Sequence, residues 1–196
     1  MIMVGAPARR QRGPVLFIDR DGTLIQHHST HVTSREHIEF IPGVLDALRV
    51  LNDTEFAIAV ISNQSSVSRG VQDEASMVAL HEYFLQEVAA AGGRIDVSYL
   101  CPHQPDDRCG CRKPQLEMYK AAAEALGAPV TPSTMVGDAA CDIEAAIAIG
   151  ARPALVLTGL GEATAEALAA AELLDRCDIY PSFCELTAHV VRTLRA

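Results

Sequence analysis

Two rhythms of apolar residues alternate along the chain. Short unbroken runs at 15–19, 56–61, 97–100, 134–138 and 154–157 have the length and content of buried strands. Between them, apolar residues recur every three or four positions, as at Val44, Leu45, Leu48 and Leu51, the spacing of one helix face. This second rhythm predicts helices over 43–51, 73–91, 116–126, 142–149, 163–171 and 183–194, several of them stopped by glycine. Residues 178–180 suit one further short strand. Strand–helix alternation of this kind predicts an α/β fold, a Rossmann-like, mainly parallel sheet with helices on both faces, over residues 14–196. Residues 1–13, with Arg9, Arg10 and Arg12 beside Gly5 and Pro7, read as a flexible tail. In such sheets ligands bind beyond the carboxyl ends of the strands. Asp19, Ser62 and Asp138 all fall at such ends, so residues distant in the chain are expected to meet in one cleft.

Charge narrows the partners. The formal net charge is −9 over 196 residues. That opposes broad contact with nucleic acid or an anionic membrane, which requires a basic face. It leaves room for a small phosphorylated metabolite, because a few local cations and a metal reverse the field inside one cleft. No apolar run approaches the roughly 20 residues of a membrane-spanning helix, and no secretory signal opens the chain. A monomer in the cytoplasm is the expectation.

Phe17-Ile18-Asp19-Arg20-Asp21-Gly22-Thr23 sets two carboxylates two positions apart, just past a buried run. Asp19 can attack phosphorus to form an acyl-phosphate. Asp21 can protonate the leaving oxygen and then deprotonate water. The same string also reads as a solvated Asp-Gly turn, or as the start of a calcium loop, although no further acidic ligands follow at calcium-loop spacing. Ser62 and neighbouring backbone N–H groups can steady phosphoryl oxygens. Lys113 can neutralise phosphate as a point charge, and Arg112 can grip a second anion with its planar fork. Asp138 suits a magnesium ligand, and Asp142, one helical turn on, suits either a support for that site or a helix N-terminal acid. Each piece alone is ordinary. Their order along the chain, at successive strand ends, points to metal-assisted phosphoryl transfer.

Cys101-Pro102-His103 and Cys109-Gly110-Cys111 bring three thiols and one imidazole close together in sequence. Four N/S ligands suit a closed tetrahedral zinc site that pins a loop too polar to fold by packing. Free thiols beside a surface histidine, or a disulfide, are the rival readings, the latter opposed by a reducing compartment. His27, His28, His31 and His37 cluster where they would either line the substrate mouth or sit on an exposed loop.

Together, Phe17 to Leu24, Ser62-Asn63-Gln64 with Arg69-Gly70, Cys101-Pro102-His103 to Cys109-Gly110-Cys111-Arg112-Lys113-Pro114, and Val136-Gly137-Asp138 resemble the haloacid dehalogenase-like phosphatases. The narrower resemblance is to the histidinol-phosphatase and heptose-1,7-bisphosphate 7-phosphatase group. It implies Asp19 as nucleophile, Asp21 as acid/base, and Ser62 and Lys113 steadying the phosphoryl group. It implies magnesium on Asp19, the Asp21 carbonyl and Asp138, and structural zinc on Cys101, His103, Cys109 and Cys111. Arg20, Asn63, Gln64, Ser65 and Arg112 become the candidate substrate contacts. No large cap domain is expected; loops, the zinc loop among them, shape the site. Ala139 stands where the heptose enzymes usually carry lysine. The implied substrate is a sugar bisphosphate, heptose 1,7-bisphosphate, with histidinol phosphate as the enzymatic alternative and a non-catalytic phosphometabolite-binding protein as the alternative of another class.

Overall fold

A computed structural model describes residues 1–5 and 13–195. Seven strands, β1 (Ile2–Val4), β2 (Val15–Ile18), β3 (Ala57–Asn63), β4 (Val97–Cys101), β5 (Thr134–Gly137), β6 (Arg152–Val156) and β7 (Asp178–Tyr180), form one sheet in the order β1-β4-β3-β2-β5-β6-β7. All neighbours run parallel except β1, which pairs antiparallel with β4. Among the described residues six helices flank the sheet, the first five joining successive strands from β2 onward: α1 (Val44–Val50), α2 (Glu74–Ala90), α3 (Glu117–Leu126), α4 (Ala140–Ile149), α5 (Gly161–Ala170) and α6 (Phe183–Arg195). None of the described helices is long and apolar enough to cross a membrane.

The pleat divides the core into two layers. Leu16, Ile18, Ile58, Val60 and Val136 face α1, α2 and α6 through Leu48, Phe84, Val88, Phe183 and Leu186. Val15, Phe17, Ala59, Ile61 and Met135 face α3 and α4 through Met118, Tyr119, Ala122, Ala145 and Ala146. α5 joins the second layer where Leu168 meets Ile143 and Leu155. Helices on both faces leave β2 wholly buried, which is why its sequence is a continuous apolar run rather than an alternating one.

The chain builds outward from β2 in two directions. β3 and β4 extend the sheet one way; β5, β6 and β7 extend it the other. The crevice between β2 and β5 at their carboxyl ends is therefore the switch point where such sheets bind ligands. Between β2 and β3 the chain carries a loop, two short 3-10 turns and α1, and among the described residues no second domain is present. The expected cap-free α/β architecture is the observed one.

The expected tail requires a correction. Ile2–Val4 is an edge strand, with Val4 packed on Met77 and Leu100. The arginines further along favour a polar tail, but the apolar Ile2, Met3 and Val4 precede them. Residues 6–12 of that expected tail lie outside the described residues. One other difference is small: Ser62 and Asn63, expected just after a strand, are its last two residues, because β3 continues pairing with β4 to Cys101.

The β2–β5 register is fixed in part by a side chain. Val15 donates its backbone N–H to Ser133 Oγ at 3.0 Å, and Ser133 Oγ donates to the Pro129 carbonyl at 3.0 Å. Removing the hydroxyl strands a buried N–H, at a cost of about 1–3 kcal/mol. Ser133→Ala is expected to lower stability by that amount in chemical denaturation, with turnover at saturating substrate unchanged.

Candidate active site

The turn after β2 is shaped by close approach to a carboxylate. Gly22 has φ of +88° and Gly159 has φ of +59°, both in the left-handed region. A Cβ at either position would overlap the Asp138 carboxylate, so the two glycines flank Asp138 Oδ2. The Leu160 backbone N–H donates to that oxygen at 2.7 Å, and Thr158 Oγ1 donates to the Gly22 carbonyl at 2.6 Å. The loop after β6 is thus fastened to the loop after β2 across the switch point.

Asp19 extends the β2–β5 pairing by donating its N–H to the Val136 carbonyl at 2.8 Å. Its carboxylate meets Lys113: Nζ lies 2.5 Å from Asp19 Oδ1, 2.7 Å from Asp142 Oδ1 and 2.8 Å from the Ile61 carbonyl. The ammonium thus donates to Asp19 and to the Ile61 carbonyl and forms an ion pair with Asp142. One carboxylate oxygen each of Asp19, Asp138 and Asp142 lies within 4.8 Å of the others, and all three residues are buried.

Electrostatics follow from that crowding. Burial pushes Asp19 well above the ordinary carboxylate range; Lys113 opposes the shift, and Asp142, Asp138 and Asp21 add to it. Asp138 is raised from 3.8 to about 7, chiefly by burial, against the Leu160 N–H. Burial would lower Lys113, but Asp142 and Asp19 outweigh it and hold the ammonium well above its usual value. Three buried carboxylates against one ammonium leave an excess of negative charge, which is the donor set of a hard divalent cation.

Asp21 lies at the cleft, 22% exposed. Arg20 Nη2 donates to both its oxygens at 3.0 Å, Gln64 Nε2 donates to Oδ2 at 2.5 Å, and Ser62 Oγ donates to Oδ2 at 3.4 Å. Arg20 is 1% exposed, and its Nη1 lies 3.3 Å from His81 Nδ1. The sequence reading puts Arg20 among the substrate contacts. The structure buries it behind Asp21 instead, because the chain folds back at once after the strand and Thr23, Leu24 and Ile25 donate their N–H groups to the Arg20 carbonyl.

The cysteine loop joins β4 to α3. The Sγ atoms of Cys101, Cys109 and Cys111 are 3.3–3.7 Å apart, and His103 Nδ1 lies 3.6 Å from Cys101 and 3.4 Å from Cys111. Ligands about 2.3 Å from a tetrahedral zinc stand roughly 3.8 Å from one another, so the four atoms fit that cage closely. Arg112 Nη1 donates to the His103 carbonyl at 3.0 Å. Asn63 brackets Lys113, donating to its carbonyl at 3.2 Å and accepting from its N–H at 3.0 Å. A cavity of about 660 Å³ opens here, with Arg108, Arg112, Lys113 and Cys141 in its wall.

Of the sequence-predicted residues, Asp19, Asp21, Ser62, Gln64, Lys113 and Asp138 converge on the carboxyl ends of β2, β3 and β5. Asn63 and Gln64 reach the cleft with their side chains turned to Lys113 and Asp21. Ser65 is 7% exposed and accepts from Arg69 Nε at 3.4 Å. The histidine cluster assembles in part, with His28 and His37 stacked at 4.8 Å between ring centroids. Sequence reasoning missed His81, hidden on an apolar helix face, and Thr158-Gly159-Leu160. The latter were findable, since they follow a predicted strand.

Similar proteins have this framework. The HAD-hydrolase-like family profile matches residues 110–178. The D-glycero-β-D-manno-heptose-1,7-bisphosphate 7-phosphatase of Pseudomonas putida is 39% identical over 152 residues, covering 78% of this chain and 87% of the relative. The Yersinia pestis protein of the same name is 39% identical over 171 residues, covering 83% and 89%. The crystal structure of D,D-heptose 1,7-bisphosphate phosphatase from Bordetella bronchiseptica, complexed with magnesium and phosphate, matches with a TM-score of 0.85 at 31% identity, covering 92% of this chain and 99% of that one. With this degree of identity over nearly the whole length of its relatives, on the same sheet, the chain belongs to the haloacid dehalogenase-like phosphatases.

Proposed function

We propose that the protein removes the 7-phosphate of D-glycero-D-manno-heptose 1,7-bisphosphate by transfer of the phosphoryl group to Asp19. The observation that carries this reading is the convergence of Asp19, Lys113 and Asp138, from three separate parts of the chain, at the switch point of the sheet. The specific substrate is supported by the names of the relatives.

In this reading Lys113 holds Asp19 Oδ1, leaving Oδ2 to attack phosphorus. The new O–P bond forms as the ester O–P bond breaks, and Asp21 gives its proton to the departing sugar oxygen. Water then attacks the aspartyl-phosphate, gives a proton to Asp21, and displaces the Asp19 carboxylate. Lys113, which donates to Asp19 and the Ile61 carbonyl, meets a phosphoryl oxygen as charge moves. Arg112 faces the same cavity as Lys113 and suits the second phosphate. Asp19, Asp138 and the Asp21 carbonyl would hold magnesium, which supplies charge neutralisation for the incoming dianion. Cys101, His103, Cys109 and Cys111 would hold zinc that fixes the loop bearing Arg112 and Lys113. A thiolate cage of this kind suits a reducing cytoplasm, and a lone subunit supplies every group the reaction uses.

Three outcomes are expected. Asp19→Asn should lower phosphate release from the bisphosphate by about 10⁴-fold or more, measured with magnesium present; equal rates for both proteins would end the nucleophile assignment. The second concerns pH. A carboxyl whose folded pKa lies above its unfolded one adds stability below the unfolded value and loses it as pH rises through the folded value. For Asp138 that window runs from 3.8 to about 7. Metal-free protein should therefore show a falling Tm across it, and magnesium should raise Tm more at pH 8 than at pH 5. A magnesium effect independent of pH contradicts this. Third, purified protein should contain about one zinc equivalent, and a strong chelator should remove it with loss of turnover and local unfolding. Less than about a tenth of an equivalent, with folding indifferent to chelation, would remove the zinc assignment.

A further inference from the structure

Arg20 has the largest fully buried side chain among the described residues, and its charge needs explaining. Taking a guanidinium out of water is costly unless its N–H groups find acceptors. Asp21 receives one edge of the fork, through Nε and Nη2. Nη1, on the far side, meets His81 Nδ1 at 3.3 Å. His81 comes from α2, is fully buried, and has its ring 5.4 Å from Phe84, which stacks on Phe40 at 5.5 Å.

Arginine keeps its protons, so Nη1 donates and Nδ1 must accept. The ring proton then resides on Nε2, a buried atom with no hydrogen-bond partner among the described residues. An unpaired buried donor is a liability that a phenyl ring at the same place would avoid. What histidine adds there is the acceptor facing Arg20. Burial and the neighbouring guanidinium both hold the imidazole well below its usual pKa, hence neutral and able to accept.

We propose that Arg20 and His81 are positioning residues that aim the Asp21 carboxylate, His81 acting through Arg20. This rests on the phosphatase reading above, in which Asp21 moves the proton. A single-point contact would let the carboxylate rotate. The Arg20 fork touches both oxygens and so fixes its plane, while Gln64 fixes Oδ2 from the β3 side. The guanidinium in turn is kept from swinging about its own stem by His81, which ties the turn after β2 to the core beneath α2. Neither residue lines the cavity beside Lys113. Their effect should therefore fall on the proton transfer and not on substrate affinity.

The test uses His81→Phe, which keeps ring volume against Phe84 and removes the acceptor, and His81→Asn, which restores an oxygen near the place of Nδ1. With heptose 1,7-bisphosphate and magnesium, His81→Phe is expected to lose about tenfold or more in kcat with KM within about twofold. His81→Asn should recover to within about threefold of the wild-type kcat, a rescue that mere filling of space does not give. Arg20→Lys, which keeps the charge and loses the fork, should show the same kcat loss, and joining it to His81→Phe should add little further. Independently of activity, nitrogen NMR of the histidine rings should find His81 as the neutral Nε2–H tautomer. Equal losses in the two His81 variants, an unchanged kcat in His81→Phe, or a His81 ring protonated on Nδ1 would overturn the proposal. Should His81→Phe fail to fold, a wild-type kcat in Arg20→Lys overturns it as well. If the wild-type protein releases no phosphate from any phosphomonoester, the phosphatase reading falls, and the tautomer still judges the contact.

Discussion

One buried ammonium organises the active site. Lys113 comes to rest against Asp19, Asp142 and the Ile61 carbonyl, buried among them. Asp138 stands beside Asp19 and Asp142, so the buried acids outnumber the base; burial first, and the neighbouring carboxylates after it, raise both Asp19 and Asp138 above the usual range. A low-dielectric pocket with surplus acid has two ways to balance, by taking up protons or by taking up a cation. The fold makes the second available by leaving the carboxylates at the open end of the sheet, with glycines at 22 and 159 clearing space around Asp138.

Lys113 is held in this position by chemistry more than by apolar packing. Its segment, from Cys101 to the start of α3, is largely polar. It is gripped from two sides: the Asn63 amide brackets the Lys113 backbone, and the thiol–imidazole cluster gathers the loop on which Arg112 and Lys113 ride. The Asp21 carboxylate is secured in a different way, by a buried arginine in contact with a helix histidine. Asp19, Lys113 and Asp21 thus have separate supports, from the β2–β5 pairing, the cysteine loop and α2.

Much of this was legible in the sequence. The continuous apolar run of β2 announces a strand covered on both faces, and the polar residues that terminate such runs, Asp19, Ser62 and Asp138, meet in the cleft. The cysteine spacing foretells the gathering of three thiols and one imidazole because the four residues are near one another in the chain. The failures share a cause. His81 sits at a helical core position, where an imidazole reads as filler, and its meaning depends on Arg20, 61 residues away. Arg20 reads as a substrate contact until the backward fold of the turn is known. Ile2–Val4 is too short to be recognised as a strand without the β4 edge that it covers. Local pattern identifies elements and ligands, but partners brought together by topology become visible only in three dimensions.

The position of β2 also bears on how the chain is made. Its two neighbours are unequally distant: β3 follows after α1, while the partner on the other side arrives much later, Val15 meeting Ser133 across a separation of 118 residues. During vector-wise synthesis the half-sheet β1-β4-β3-β2 is complete before β5 leaves the ribosome, so for that interval the innermost strand of the finished protein is an open edge. Asp19 waits there without Asp138. The strand that closes this edge is also the one that carries Asp138 to Asp19, so completing the sheet and assembling the carboxylate group are one event.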